Sequence, residues 1–245
     1  MKQVVLTIKE NVKIAKDVYK MRLLGDSLEN IKAGQFVNIK LKELYLRRPI
    51  SVCEVDGNEL TIIYKAVGEG TKYLSTLREN HKLDVLIELG NGYDLSFTQN
   101  KVVLIGGGVG VPPMYEACKQ LLKLNKEVTV VLGFNTKDEI FYEEEFKNLG
   151  VKTLVTTADG SYGHKGFVTD VLDEVDFEYF ITCGPEPMLK AVYKKTTVDG
   201  QMSFERRMGC GFGACMGCSC KTITGYKRIC KEGPVMRKDE ILWEG

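Results

Sequence analysis

Four cysteines fall within eleven residues, Cys210-Gly-Phe-Gly-Ala-Cys-Met-Gly-Cys-Ser-Cys220, and a fifth follows at Cys230. The spacing Cys210-x4-Cys215-x2-Cys218, with eleven residues before Cys230, agrees with the plant-type [2Fe–2S] arrangement of three clustered thiolates and one distant thiolate. Cys210, Cys215, Cys218 and Cys230 are therefore the expected metal ligands. Gly211, Gly213 and Gly217 let such a loop wrap closely, so that backbone N–H groups can point at sulfur and moderate its negative charge. The rival is a structural zinc site, although zinc frameworks usually pair cysteines as two knuckles and only Cys215-x2-Cys218 has that form. Cys220 exceeds the four ligands needed and is left out of the expected ligand set. Cys53, Cys118 and Cys183 stand among apolar neighbours and read as small buried hydrophobes.

A second chemical feature is Gly106-Gly107-Gly108-Val109-Gly110, between the strand-like Val102 to Ile105 and a helix opening near Pro112. Glycines let backbone approach a pyrophosphate, whose charge is favoured at a helix N-terminus, and proline at the first helical position gives up no needed N–H. Phosphate binding by Gly107, Gly108 and Gly110 is the expectation, with a tight turn as the plain alternative. The spacing departs from the dinucleotide fingerprint with glycines at positions one, three and six. Cys183-Gly184-Pro185-Glu-Pro-Met188 ends another strand and opens another helix, where an open sheet presents its ligands.

Arg48, Pro49, Ile50 and Ser51 offer a planar, permanently charged donor, a fixed backbone and a hydroxyl suited to a diphosphate. Alone they read as a solvated basic turn. Ile63-Tyr64-Lys65 and Gly70-Thr71 add a ring face, a cation and a glycine-led helix start. His81 and His164 are the only histidines, and neither has a Ser or Cys partner in a motif, which argues against His-based nucleophilic or acid–base catalysis. The acidic run Asp138 to Glu145 reads as a solvated turn and helix face. Redox chemistry carried by cofactors remains.

These features need elements to hold them. Up to about Phe97 the pattern is strand-like, over Gln3 to Lys9, Val18 to Leu24, Gln35 to Leu41, Ile50 to Val55, Leu60 to Val67 and Leu83 to Leu89. It predicts an antiparallel barrel or sandwich interrupted by one helix, Thr71 to Leu77. From Lys101 strand and helix alternate, which predicts a doubly wound parallel sheet with helices over Pro112 to Leu124, Tyr142 to Leu149, Val168 to Leu172 and Pro187 to Lys195. After Asp199-Gly200 the regular pattern stops, and the residues beyond it are too few for a comfortable apolar core. The expected division is a β-barrel at 1–98, an α/β domain at 99–199 and a cluster-binding segment at 200–245.

Composition limits the partners. With 245 residues, 44% hydrophobic, 27% charged and a net charge of +1, the chain lacks the basic excess of a nucleic-acid binder held by phosphate attraction. The opening Met-Lys-Gln-Val-Val-Leu-Thr-Ile-Lys alternates like a strand and carries no secretory signal features, and no apolar run approaches the roughly 20 residues a membrane helix needs. A cytoplasmic protein with reduced thiols is expected.

Together these residues resemble the ferredoxin-NADP reductase superfamily from end to end. More narrowly, Arg-Arg-Pro-Ile-Ser, Gly-Gly-Gly-Val-Gly-Val-Pro-Pro, Cys-Gly-Pro-Glu-Pro-Met and Glu205-Arg-Arg-Met-Gly-Cys-Gly-Phe-Gly-Ala-Cys are similar to electron transfer subunits of type B dihydroorotate dehydrogenases. The resemblance implies FAD on the barrel, with Arg48 to Ser51 at its phosphate and ribitol region and Ile63 to Lys65, Gly70 and Thr71 completing the flavin contacts. It implies NAD on the α/β domain and [2Fe–2S] on Cys210, Cys215, Cys218 and Cys230. It also implies an FMN-containing dihydroorotate dehydrogenase catalytic subunit as partner, two of each in a heterotetramer, in pyrimidine biosynthesis. One departure is Ile50, where the superfamily commonly has an aromatic, so ring stacking falls to another residue such as Tyr64. NAD is preferred to NADP because Gly133-Phe-Asn-Thr-Lys-Asp138 offers one lysine and no arginine for a 2′-phosphate. The same architecture also serves reductase subunits of hydrogenases and bifurcating transhydrogenases, and a zinc-stabilised binding module without redox function is the reading from a different class.

Overall fold

The computed structural model describes residues 1–42 and 44–243, so the last two residues of the 200–245 segment lie outside the described residues. In the first part, β1 (Lys2–Ala15), β2 (Val18–Leu24), β3 (Phe36–Ile39), β4 (Arg48–Asp56), β5 (Glu59–Lys65) and β6 (Lys82–Leu89) close an antiparallel barrel in the order β1-β2-β5-β4-β3-β6. Alternation makes this possible: Leu6, Ile8, Met21, Leu23, Val37, Ile39, Leu60 and Ile62 fill one interior. Helix α1 (Glu69–Thr76) adds Leu74 to that core. The Asn11 amide donates to the Leu74 and Leu77 carbonyls at 3.0 and 2.9 Å, satisfying oxygens that a helix end leaves open.

The second part is built on β7 (Lys101–Gly107), α2 (Pro112–Lys123), β8 (Glu127–Phe134), α3 (Glu143–Asn148), β9 (Lys152–Thr157), β10 (His164–Lys165), β11 (Tyr179–Cys183), α4 (Glu186–Lys195) and β12 (Gly200–Ser203). The cysteine region adds β13 (Ser219–Thr222), β14 (Gly225–Arg228) and β15 (Val235–Arg237). The main sheet runs β10-β9-β8-β7-β11-β12-β15, parallel throughout except for β15. Both faces are covered. Val102 and Leu104 face a core with Met114, Cys118 and Leu121 of α2, while Val103 and Ile105 face Leu189 and Val192 of α4.

Two elements differ from the sequence expectation. Val168 to Leu172 forms short 3₁₀ turns, Val168–Asp170 and Leu172–Glu174, because the Asp170 carboxylate accepts from the Phe167 N–H at 2.8 Å and closes a tight turn before an α-helix can propagate. The regular pattern also extends past Gly200. β12 and β15 both join the main sheet, so part of the 200–245 segment completes the fold of the preceding unit.

Barrel and sheet share a largely apolar interface. Cys53 and Ile63 on the outer barrel wall lie in one cluster with α2 and with Phe146, and the Glu116 carboxylate on α2 accepts from the Val55 N–H at 3.3 Å. Cys53 and Cys118 are buried within that cluster, and burial pushes the Cys118 thiol up to about 12. Phe146 is fully buried, so Phe146→Ala is expected to cost about 3–5 kcal/mol, read as a lower urea midpoint for unfolding of the α/β part. Among the described residues no helix is long and apolar enough to cross a membrane.

Candidate functional site

Three sites converge where the barrel meets the carboxyl ends of the parallel strands. The first is a cavity of about 230 Å³ on the barrel, bordered by Pro49, Ile50, Ser51, Ile63, Tyr64, Lys65 and Thr71. Cavities that enclose a whole small-molecule ligand usually measure roughly 300–1,000 Å³, so this one suits a single ring system with the remainder of a dinucleotide along the surface. Arg48 and Gly70 meet beside it. A Cβ on Gly70 would fall 2.2 Å from Arg48 Nε, so the glycine allows the guanidinium to lie against the start of α1. Thr71 Oγ1 accepts from the N–H groups of Val67 and Gly68 at 3.1 and 3.2 Å and holds that turn. Tyr64 borders the cavity, yet its ring is stacked on Tyr19 with centroids 5.8 Å apart, and its hydroxyl donates to Asn11 at 2.9 Å.

The second cavity measures about 490 Å³ and lies beyond β7, β8 and β9. Gly107, Gly108 and Pro185 border it, as do Phe134, Asn135, Glu139 and Phe167. Gly110, Cys183 and Gly184 do not border it and instead shape its floor: a Cβ on Gly110 would fall 2.2 Å from the Cys183 carbonyl oxygen and 2.6 Å from the Gly184 nitrogen. Absence of a side chain at 110 is therefore what lets two strand-to-helix turns touch. Cys183 is buried, which raises its thiol to about 12 and keeps it a neutral packing group.

The cysteine loop forms the third site. β13 and β14 pair from Ser219↔Arg228 to Thr222↔Gly225, so the eleven residues between Cys218 and Cys230 are a hairpin that returns the chain to its starting point. Its ends bring the Cys218 and Cys230 sulfurs to 3.2 Å. Cys210 and Cys215 are close enough for their side chains to interact. The donors are thus two pairs, and among the described residues no three His, Cys, Asp or Glu side chains converge on one ion position. Backbone N–H groups are aimed at sulfur, from Ala214 to Cys210 at 3.2 Å and from Cys230 to Cys218 at 3.4 Å. Burial pushes the Cys210 thiol up, but N–H donors from Phe212, Cys215 and Ala214 outweigh it and bring it down to about 6. The Arg228 guanidinium braces the loop, donating to the Gly213 carbonyl at 2.6 Å and pairing with Glu232. Cys220 borders a separate cavity with Lys190 and Trp243.

Residues that sequence reasoning left out close the barrel cavity. Ser203, Phe204, Glu205, Arg206 and Met208 form one wall, and Val109 of the glycine loop another. Glu205 and Arg206 lie in the Glu205-Arg-Arg-Met motif, which was the available signal. Dense surroundings raise the Glu205 carboxyl by desolvation although the side chain remains open to solvent, as expected for a group at the mouth of a cavity. Glu139 lies in the acidic run read as a solvated face, and it borders the second cavity instead.

Comparison with known proteins agrees with this geometry. Residues 205–242 match the iron-sulfur cluster binding domain of dihydroorotate dehydrogenase B, and residues 104–194 match the oxidoreductase NAD-binding domain. A curated relative from Fusobacterium nucleatum, named dihydroorotate dehydrogenase B (NAD(+)), electron transfer subunit, is 47% identical, covering 96% of both chains. A protein of the same name from Bacillus pumilus is also 47% identical, covering 98% of both. Among solved structures, a chain from the NADH-dependent reduced ferredoxin-NADP oxidoreductase superposes with a TM-score of 0.89 at 33% identity, covering 98% of this chain and 91% of that one. A ferredoxin NADP+ reductase from Neisseria gonorrhoeae shares the fold, with a TM-score of 0.70 at 15% identity over 80% of this chain and 90% of that one. Identity sustained at this level over nearly the full length shows that the chain belongs to the family of dihydroorotate dehydrogenase B (NAD(+)) electron transfer subunits.

Proposed function

We propose that the barrel cavity holds FAD, that the cavity beyond β7 to β9 holds NAD, and that Cys210, Cys215, Cys218 and Cys230 ligate [2Fe–2S]. The chain is an oxidoreductase subunit whose cofactors are FAD, [2Fe–2S] and NAD, and it works beside a catalytic dihydroorotate dehydrogenase subunit. One observation carries the assignment of sites. The barrel cavity is bordered on one side by Val109 of the glycine loop and on another by Met208, two residues before Cys210, so a single cavity touches both neighbouring sites. Bound there, FAD supplies exchange between one-electron and two-electron carriers. The side chains contribute binding and electrostatics. Pro49 to Ser51 and Ile63 to Lys65 wall the ring region, Arg48 and Thr71 lie toward the phosphates, and Gly107 and Gly108 open backbone to a pyrophosphate at the start of α2. Cys183, Gly184 and Pro185 shape the nicotinamide end.

The functional division is FAD binding over 1–98, NAD binding over 99–199 and cluster binding over 200–245, with β12 and β15 of the last segment serving the NAD-binding sheet. The partner carries FMN and assembles with this chain as two copies of each, in the cytoplasm. It docks over the cysteine loop, where Cys215 is exposed and Phe212 and Met216 are 43% and 53% exposed, an apolar rim that leaves one side of the cluster accessible.

Dihydroorotate-dependent NAD+ reduction, assayed with the purified partner in the presence and absence of this chain, tests the reading. Transfer that depends on the chain is the expected result, together with flavin and iron–sulfur bands in its visible spectrum. Transfer unaffected by the chain, or a colourless protein with one zinc, overturns it. The 33% identity to a chain of the ferredoxin-NADP oxidoreductase favours a second reading, a bifurcating transhydrogenase subunit, which predicts ferredoxin-dependent and not dihydroorotate-dependent transfer.

A further inference from the structure

One ion pair is divided between the walls of the two cofactor cavities. Lys65, at the end of β5, borders the barrel cavity, and Glu139, in the turn after β8, borders the nucleotide cavity. Lys65 Nζ lies 3.0 Å from Glu139 Oε1, and the side chains are 33% and 16% exposed. The other carboxylate oxygen, Oε2, accepts from the Asn135 backbone N–H at 3.2 Å and from its amide at 2.8 Å. Burial alone would raise Glu139, but Lys65 and the two Asn135 donors overcome it and hold the carboxyl below its usual range, so it is charged at neutral pH. The same turn is tied to the barrel by the Lys16 N–H donating to the Asp138 carbonyl at 2.9 Å, which fixes the two walls relative to each other.

We propose that the Lys65–Glu139 pair couples the two cavities electrostatically, each charge screening its partner from the anionic cofactor on the other side. The inference rests on FAD occupying the barrel cavity and NAD the other. The signs follow from charge alone. Lys65 neutralises a carboxylate that would otherwise face the diphosphate of NAD, and Glu139 neutralises part of a cation that would otherwise stabilise the anionic reduced flavin. Each residue therefore acts on the ligand in the opposite cavity as well as on the one in its own. A pair that only staples barrel to sheet would behave differently, because losing either partner would then weaken both sites in the same direction.

The test uses the FAD-loaded full chain. NAD+ affinity is measured by titration calorimetry and the flavin midpoint potential by spectroelectrochemistry, for wild type, Lys65→Met, Lys65→Arg, Glu139→Gln and the Lys65→Met/Glu139→Gln double variant. Lys65→Met is expected to weaken NAD+ about five-fold, the lower end of typical coupling factors, and to lower the potential. Glu139→Gln is expected to raise the potential, and Lys65→Arg to keep wild-type values of both. In the Glu139→Gln background, Lys65→Met should change NAD+ affinity by less than about two-fold, because no carboxylate remains to be exposed. Potentials that move the same way in both single variants, or a Lys65→Met effect on NAD+ that is equal in the two backgrounds, overturn the coupling. A wild-type chain that takes up no FAD or no NAD+ overturns the assignment of the cavities itself, and the coupling with it.

Discussion

Cys230→Ser is expected to strip the protein of its iron and of the cluster's visible absorption while FAD stays bound. Dihydroorotate-dependent NAD+ reduction should fall by about 100-fold or more, since even outer-shell partners of a metal site cost roughly 10–100-fold when removed. The reason is local. Cys230 lies just past the β13–β14 hairpin and is buried against Cys218, so the strand pairing itself places its sulfur. Reduction of a two-electron dye by NADH should survive, because Cys230 borders neither the barrel cavity nor the nucleotide cavity. Cys220→Ser is the matched control, a cysteine of the same hairpin outside the expected ligand set, and should keep full iron content. Iron analysis and the visible spectrum of the two variants decide the ligand set. Iron lost from Cys220→Ser and retained in Cys230→Ser would reverse the assignment.

Gly110→Ala should weaken NAD+ binding at least about ten-fold and destabilise the α/β part by about 1–3 kcal/mol, the usual cost of overpacking. A Cβ there would sit 2.2 Å from the Cys183 oxygen and 2.4 Å from its carbonyl carbon. Those are backbone atoms at the end of β11, where Cys183 is paired with Gly106 of β7, so they cannot yield without disturbing the sheet. The displaced turn carries Pro185, which borders the nucleotide cavity. Gly108→Ala separates steric from conformational effects. Nothing lies within 4 Å of a Cβ at 108, but its φ of +51° is left-handed, so the expected cost is about 1–2 kcal/mol of backbone strain with no displaced neighbour. Binding of NAD+ by calorimetry, alongside the thermal midpoint, distinguishes the two. Native NAD+ affinity in Gly110→Ala would show that the contact between the two turns does not shape the site.

Much of this molecule is legible in its residues because the relevant physics is local. Four cysteines at x4, x2 and x11 spacing announce a cluster, since the short gaps restrict a loop and the long gap is the length of a hairpin with a two-residue turn. The alternation of β7, with Val102 and Leu104 on one face and Val103 and Ile105 on the other, is what a strand covered by helices on both sides requires. The glycine loop and the prolines after it mark a strand-to-helix turn.

Other features depend on chain segments that are far apart in sequence. Gly200–Ser203 is buried on both faces, so it carries no period-two signal, and only pairing with β11 and β15 identifies it as a strand. Asp138 to Glu145 has the composition of a solvated face, yet Glu139 is turned inward because Lys65, 74 positions earlier, and Asn135 supply donors for both carboxylate oxygens. Ser203 to Met208 becomes a cavity wall through the sheet order, which carries the exit of β12 past the barrel. The sequence by itself determined the types of chemistry and the kinds of element that carry them, since propensity, periodicity and ligand spacing act over a few residues. The tertiary structure decided which of those residues share a cavity and which charges meet between cavities, since that is set by packing between segments that no local pattern connects.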